Sequence, residues 1–363
     1  MIRTKVALLG AGFIAGIHAE SYRRFVPEAE VVAVYTRDPA RAEAFARRHG
    51  IPRWFDNLEA VIRDSGCDVV DVGLPNHLHH RAVLAAAAAG KDVIIEKPLC
   101  LTLEEADEMI RAMRAAGRKL MYAEELCFAP KYERVRALAE AGAFGRLYCV
   151  RQTEKHSGPH SDWFYRMEQA GGGVLMDMGC HGLAWCRWIL GGKPKALNVT
   201  ARLQKGLLHG ARTTGEENSL VTVEFEGGVL GIVENSWAKP GGMQDAIEVH
   251  GTGGVCYADL FQGNAALTYS ERGYDYAMEK AGSTRGWTFT VFEEAFNQGY
   301  PQELKHFIDC VREDREPRVT GEDGRAVLEL LYAAYASAGT GRTIPLPFTA
   351  NVERPVDLWL NAR

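Results

Sequence analysis

The chain has 363 residues, 47% hydrophobic and 25% charged, with a formal net charge of −5 and an isoelectric point near 6.2. That length exceeds what one ordinary core organises and predicts two domains, while the mild acidity leaves no electrostatic footprint for nucleic acid or an anionic membrane. No apolar run approaches the roughly 18 residues needed to cross a bilayer, and the eight cysteines include no C-x-x-C pair, which reads as reduced thiols in a cytoplasmic protein rather than a disulfide frame or a zinc site.

The first residues, basic and then apolar, have the outline of a secretion signal. Gly10, Gly12 and Gly16 would weaken a helical apolar region, however, and no cleavage site follows, so the segment reads as a buried strand and a glycine turn. Val6–Leu9 is that strand, Phe13–Phe25 a helix, Val31–Tyr35 a second strand and Pro39–His49 a charged helix. A segment at Leu58–Ser65 precedes the strand Val69–Gly73 and the Ala-rich helix Arg81–Ala89. The strand Val93–Ile95, the helix Leu103–Ala116 and the strand Lys119–Ala123 continue the alternation. Short apolar strands separated by helices of this length predict a parallel, doubly wound sheet over residues 1–125.

Beyond residue 130 the pattern changes. Leu147–His156 is a long strand of mixed polarity, and Leu220–Phe225 with Val229–Trp237 flank Glu226-Gly227-Gly228 as a hairpin. Val221, Val223 and Phe225 fall on one face of its first arm, Thr222 and Glu224 on the other. Ala246–His250 and Gly254–Ala258 form a second pair, with helices expected at 174–190, 301–313 and 321–338. Residues 126–363 therefore form an α/β domain built on a large, mostly antiparallel open sheet. No low-complexity linker separates the halves, which predicts tight packing of the domains, with the C-terminal helix in position to fold back on the first. Trp185, Trp188 and Ile189, and Tyr332 with Tyr335, read as core.

Gly10-Ala11-Gly12-Phe13-Ile14-Ala15 is a G-x-G-x-x-A set between the first strand and the first helix. The glycines permit a sharp turn and close approach of backbone to a pyrophosphate, and the helix N-terminus favours negative charge. Gly10, Gly12, Phe13 and Ile14 are thus candidate dinucleotide contacts. The end of the second strand is where an acid would hold the adenosine ribose and an arginine would accept a 2′-phosphate. Here stand Thr36 and Arg37, with the acid displaced to Asp38, so NAD and NADP both remain open.

The third and fourth strands end in Pro75-Asn76-His77-Leu78-His79 and Glu96-Lys97-Pro98, and ligands of open parallel sheets bind at such carboxyl ends. Later come Gly171-Gly172-Gly173 and, four residues apart on one expected helical face, Asp177 and His181. With the glycine loop, these motifs resemble those of the glucose–fructose oxidoreductase, inositol dehydrogenase and rhizopine-catabolism (Gfo/Idh/MocA) family, in order, in spacing and across both domains.

The resemblance implies a Rossmann domain, a nicotinamide cofactor and hydride transfer at a hydroxyl-bearing ring carbon of a sugar, cyclitol or glycoside. Pro75, Asn76, His79, Glu96 and Lys97 would line the cofactor site. Lys97 inherits the catalytic lysine, where an ammonium stabilises a developing alkoxide, and the Lys97–Pro98 peptide is expected to be cis. His181 inherits the general base, suited by a side chain that titrates near neutrality, with Asp177 orienting the substrate or supporting it. A metal is not expected, since no third ligand or zinc-type spacing accompanies the pair. The family also implies a homodimer or homotetramer.

Between the first strand of the second domain and the Asp177 helix lies a stretch rich in polar and aromatic groups. Trp163 suits stacking on a pyranose; Lys155, His156, His160 and Arg166 suit a carboxylate, phosphate or sulfonate. Tyr122, Glu124 and Glu125 end the strand after Lys97 and are further substrate-site candidates. Two alternatives accompany the dehydrogenase reading. One is a redox-assisted glycoside hydrolase, possible on an acidic or sulfonated sugar, that oxidises, eliminates, hydrates and reduces again. The other is a dinucleotide-sensing regulator, against which the retention of Lys97, Asp177 and His181 argues.

Overall fold

The computed structural model describes residues 3–192, 194–261, 263, 265–273, 283–291 and 293–362. The chain divides into two compact units, Met1–Phe128 with Gly299–Leu328, and Ala129–Gln298 with Glu329–Arg363.

The first unit is a six-stranded parallel sheet with its strands in the order 3-2-1-4-5-6. In chain order its elements are β1 (Thr4–Leu9), α1 (Phe13–Phe25), β2 (Ala29–Tyr35), α2 (Pro39–His49), β3 (Trp54–Phe55), α3 (Leu58–Asp64), β4 (Val69–Val72), α4 (His79–Ala88), β5 (Asp92–Glu96), α5 (Leu103–Ala115) and β6 (Leu120–Ala123). Val6 to Leu9, Val69 to Val72 and Val93 to Ile95 are buried on both faces, which is why these strands read as near-continuous apolar runs, interrupted by the buried Asp71, rather than as alternating ones. Local chemistry sets the helix boundaries. Asp38 caps α2 ahead of Pro39, Gly50 ends it in the left-handed conformation, and Thr102 with Glu105 forms a capping box on α5.

The second unit holds α6 (Pro130–Glu140), β7 (Leu147–Lys155), α7 (Met167–Ala170), α8 (Cys180–Ile189), β8 (Ala196–Gln204), β9 (Asn218–Phe225), β10 (Val229–Ser236), β11 (Gln244–Gly251), β12 (Gly254–Asp259), β13 (Ala265–Ser270), β14 (Gly286–Val291) and α9 (Glu294–Gln298). After it, α10 (Tyr300–Arg312) belongs to the first unit, where it packs on α1. The remaining elements are α11 (Gly321–Thr340), β15 (Ile344–Pro345) and α12 (Asp357–Leu360).

The second sheet is seven-stranded, in the order β12-β11-β7-β10-β9-β8-β15. Both expected hairpins are present, and every neighbouring pair is antiparallel except β7 with β10. α8 lies close on one face; a side chain at Gly182 would run into Val233 and Gln152. Tyr148, Leu220, Leu230 and Tyr257 are exposed. Among the described residues, no helix is long and apolar enough to cross a membrane.

Candidate functional site

In the first unit the glycine loop is wedged against the end of β4. Gly10 has a φ of +125°, and a Cβ there would collide with the Gly73 carbonyl oxygen; its N–H donates to Tyr35 O at 2.8 Å. This is where the strand order reverses, β2 and β4 flanking β1, the place where an open α/β sheet forms a ligand crevice. Gly12 starts α1 without a side-chain cap, and a Cβ on it would meet only Arg41 Nη2, at 3.9 Å. The helix N-terminus therefore keeps its positive end and its space, which fits a dinucleotide pyrophosphate. Phe13 is exposed beside it and Ile14 half-buried.

At the end of β2, Thr36 is half-buried and Arg37 exposed. The Asp38 carboxylate is spent on the first turn of α2, accepting from the N–H groups of Ala40 and Arg41 at 3.0 and 3.2 Å. Arg41, which sequence reasoning passed over, donates its Nε to Ala11 O at 3.1 Å and stands on the glycine loop. An arginine in the first turn of the second helix is the signal that could have found it.

The β4 and β5 ends are tied together. Asn76 is buried and Pro75 half-buried. His79 is fully buried, with Nε2 2.8 Å from Leu74 O and Nδ1 3.0 Å from Pro98 O, so both ring nitrogens face backbone carbonyls and the ring anchors the turn. The Lys97–Pro98 peptide is cis, as the resemblance implied. Glu96 Oε2 accepts the Lys97 N–H at 3.2 Å. Tyr122, within β6, and Glu124, just beyond it, are fully buried, and Glu125 accepts from the Tyr300 hydroxyl at 3.1 Å. Burial pushes the Glu124 carboxyl up to about 8, against the opposing pull of the Lys97 ammonium.

In the second unit, Gly171 has a φ of +82°, and side chains at Gly172 and Gly173 would collide with the Tyr335 hydroxyl and the Glu216 carbonyl. The buried Glu216 carboxylate accepts from the N–H groups of Gly173 and Leu175 at 3.0 and 2.9 Å and from Tyr335 at 2.6 Å, closing the N-terminus of the helix that follows. Burial raises its pKa, outweighing these donors. Leu175–Gly179 is a π-helical turn running into α8, a local widening that periodicity did not reveal. It carries Asp177, and His181 follows in the first turn of α8; both are buried. Trp237, also missed from sequence, donates its indole N–H to Asp177 Oδ2 at 2.9 Å.

The 156–166 stretch is placed unevenly. His156 is buried and its Nδ1 accepts from Gly158 N at 3.1 Å. Trp163 is half-buried and stacks on Phe164 with centroids 3.8 Å apart, while His160 and Arg166 are exposed. Lys155 pairs with Glu234 on the neighbouring strand. A further group comes from the loop before β9. The Glu217 carboxylate gathers the N–H groups of Leu207, Leu208 and His209, and the His209 ring lies 3.4 Å from the Tyr165 hydroxyl and 3.3 Å from Trp237 O.

Comparison with known proteins follows the same lines. A family model described as oxidoreductase family, NAD-binding Rossmann fold, matches residues 4–124, and the GFO/IDH/MocA C-terminal domain matches residues 132–257. The fold is similar to the crystal structure of GenD2 from gentamicin A biosynthesis in complex with NAD. That likeness has a TM-score of 0.90 and 34% identity over 96% of this chain and 97% of that one. The sequence is 28% identical to scyllo-inositol 2-dehydrogenase (NAD(+)) of Bacillus subtilis, over 95% of this chain and 96% of the relative. It is 29% identical to D-glucoside 3-dehydrogenase of Escherichia coli, over 94% and 97%.

Proposed function

Because this chain belongs to the Gfo/Idh/MocA oxidoreductase family, we propose that it is a cytoplasmic NAD(P)-dependent dehydrogenase acting at one ring hydroxyl of a sugar, cyclitol or glycoside. The observation that carries the reading is that one chain retains the glycine cradle, the Glu96-Lys97-Pro98 turn and the Asp177/His181 helix together. Relatives over nearly the whole length are named for inositol and glucoside dehydrogenation, which supports the substrate class.

When bound, the nicotinamide supplies a two-electron acceptor. The chain does the rest. Gly10 and Gly12 admit the pyrophosphate, and the exposed Phe13 and half-buried Ile14 border it. His181 takes the hydroxyl proton, and the Lys97 ammonium steadies the charge developing on that oxygen. Asp177, aimed by Trp237, orients the substrate, and Tyr122, Glu125, His156, His160, Trp163 and Arg166 are assigned to its recognition. NADP is admitted alongside NAD, since Asp38 is committed to capping α2 and Arg41 stands on the glycine loop. The exposed residues of the second sheet suit a homodimer or homotetramer.

A screen of cyclitols, sugars and sugar acids, followed at the reduced-nicotinamide absorbance, tests this. We expect cofactor reduction in step with product. Release of aglycone from a nitrophenyl glycoside, many turnovers per cofactor and without net reduction, would instead establish the redox-assisted glycosidase. Dinucleotide binding with no turnover on any of these would point to a sensor.

A further inference from the structure

Behind the Lys97 turn the first unit buries ionisable groups to which the reading above gives no task. His18 on α1 is 1% exposed. Its Nδ1 lies 3.0 Å from both carboxylate oxygens of Asp71 on β4, and its Nε2 lies 3.2 Å from Oε1 of Glu96 at the end of β5. Tyr22, one turn along α1, donates its hydroxyl to Asp71 Oδ2 at 2.9 Å. The second oxygen of Glu96 receives the backbone N–H of Lys97.

We propose that His18 is a positioning residue for the reaction at Lys97: it ties Asp71 to Glu96, and the Glu96 carboxylate in turn holds the backbone from which the Lys97 side chain projects. The proposal rests on the role given to Lys97 above. Its physical basis is the number of donors. A neutral imidazole carries one N–H and can turn a donor to only one of the two carboxylates, whereas an imidazolium turns one to each, Nδ1 hydrogen-bonded to Asp71 and Nε2 at ion-pair distance from Glu96. Burial alone would pull the His18 pKa down, but Asp71 and Glu96 together hold it well above the ordinary value.

The groups around His18 fit this arrangement. Asp71 faces it from β4, Glu96 from β5, Tyr22 from its own helix, and the Tyr300 ring from α10 at 6.1 Å. Glu303, also on α10, is fully buried with no hydrogen-bond partner on either oxygen. Burial, then the nearby carboxylates of Glu125 and Glu96, keep its proton on well above the usual carboxyl range. An ionised Glu303 would compete with Glu96 for the imidazolium; as a neutral acid it leaves the bridge to Asp71 and Glu96. Well-packed apolar residues would serve stability as well as buried ion pairs commonly do, so the placement of this set directly beside the turn points to orientation.

Nitrogen NMR of the histidine-labelled full chain tests the bridge directly. Both His18 nitrogens should show imidazolium shifts at neutral pH, with and without NAD+, and a neutral-tautomer signal there overturns the proposal. His18→Gln, which keeps one donor, should lower kcat by roughly 10²-fold, the scale of a small misplacement, with an unchanged NAD+ dissociation constant. It should also shift the pH midpoint for labelling of Lys97 by an amine reagent, read by peptide mass spectrometry. Parent kcat with an unmoved midpoint rejects the role. If His18→Gln does not fold, Glu96→Gln tests the same link from the other side, with the same two readouts. Should the parent protein oxidise no sugar or cyclitol, the assignment of Lys97 to catalysis fails, yet the nitrogen shifts and the Lys97 labelling still decide whether His18 sets that turn.

Discussion

The indole Nε1 of Trp237 donates to Oδ2 of Asp177 at 2.9 Å, and both side chains are buried. Trp237 is held in turn by its own N–H on Glu217 O at 2.8 Å and by the Tyr165 ring, edge-on at 5.8 Å. A carboxylate in a π-helical turn is thereby aimed by a residue just past β10. Trp237→Phe keeps most of the packing and removes the donor. It should lower kcat about tenfold, the value of one hydrogen bond to a charged group, with little change in NAD+ affinity. Steady-state kinetics and a cofactor titration check it, and a parent-like kcat would show that the indole does not set Asp177.

His181→Asn should suppress the chemical step by roughly two to four decades, as expected for a general base. It should also remove the basic group's limb from the pH dependence of kcat/KM. The check is a pH–rate profile under conditions where a deuterated substrate shows that hydride transfer limits the rate. An unchanged profile assigns the base elsewhere.

Cofactor preference should respond at the end of β2. Thr36→Asp places a carboxylate where Asp38, committed to capping α2, provides none. The expected result is weaker NADP binding and a shift toward NAD, since the new charge repels a 2′-phosphate and can accept from a ribose hydroxyl. Titrating both dinucleotides against both proteins measures it; an unmoved ratio of affinities means that the side chain points away.

Glu124 links stability to pH. Its ordinary value is 4.5 and burial raises it to about 8, so between those limits the native chain holds a proton that the unfolded chain has released. The native state therefore binds more protons, and this group's contribution to stability must fall as pH rises through the window. Glu124→Gln should flatten that part of the curve. Unfolding midpoints in urea across the range test it, and an equally steep decline in the variant would place the linkage on other groups.

Gly173→Ala should be costly far beyond an ordinary surface change, because the added Cβ meets the Glu216 carbonyl oxygen, which is backbone. A loss of roughly 2 kcal/mol or more is expected for enforced overlap in a packed site. Chemical denaturation gives the number; a variant as stable as the parent would mean that the turn shifts freely.

The alternation of apolar strands and helices over residues 1–125, and the pairing of Leu220–Phe225 with Val229–Trp237, were legible because each rests on local periodicity and turn chemistry. The glycine loop, the Glu96-Lys97-Pro98 turn and the Asp177/His181 spacing were legible as motifs for the same reason. Several elements were not. β3 is a two-residue edge, and β8 alternates without a strong apolar face. α6 begins on a proline and carries charge on most of its turns, so its helical period passed unread.

What only the tertiary structure decided were relationships between residues distant in sequence. The parallel pairing of β7 with β10 is one, since strand direction in a sheet is set by connections and not by composition. The return of Gly299–Leu328 to the first unit is another. So are the partners of the candidate groups: Trp237 for Asp177, Glu216 for the helix that bears it, Arg41 for the glycine loop, and His18 between Asp71 and Glu96. Backbone preference acts over a few residues and leaves its record in the local sequence. Buried polar groups find partners wherever the packed chain brings a donor to an acceptor, and that correspondence has no period in the sequence.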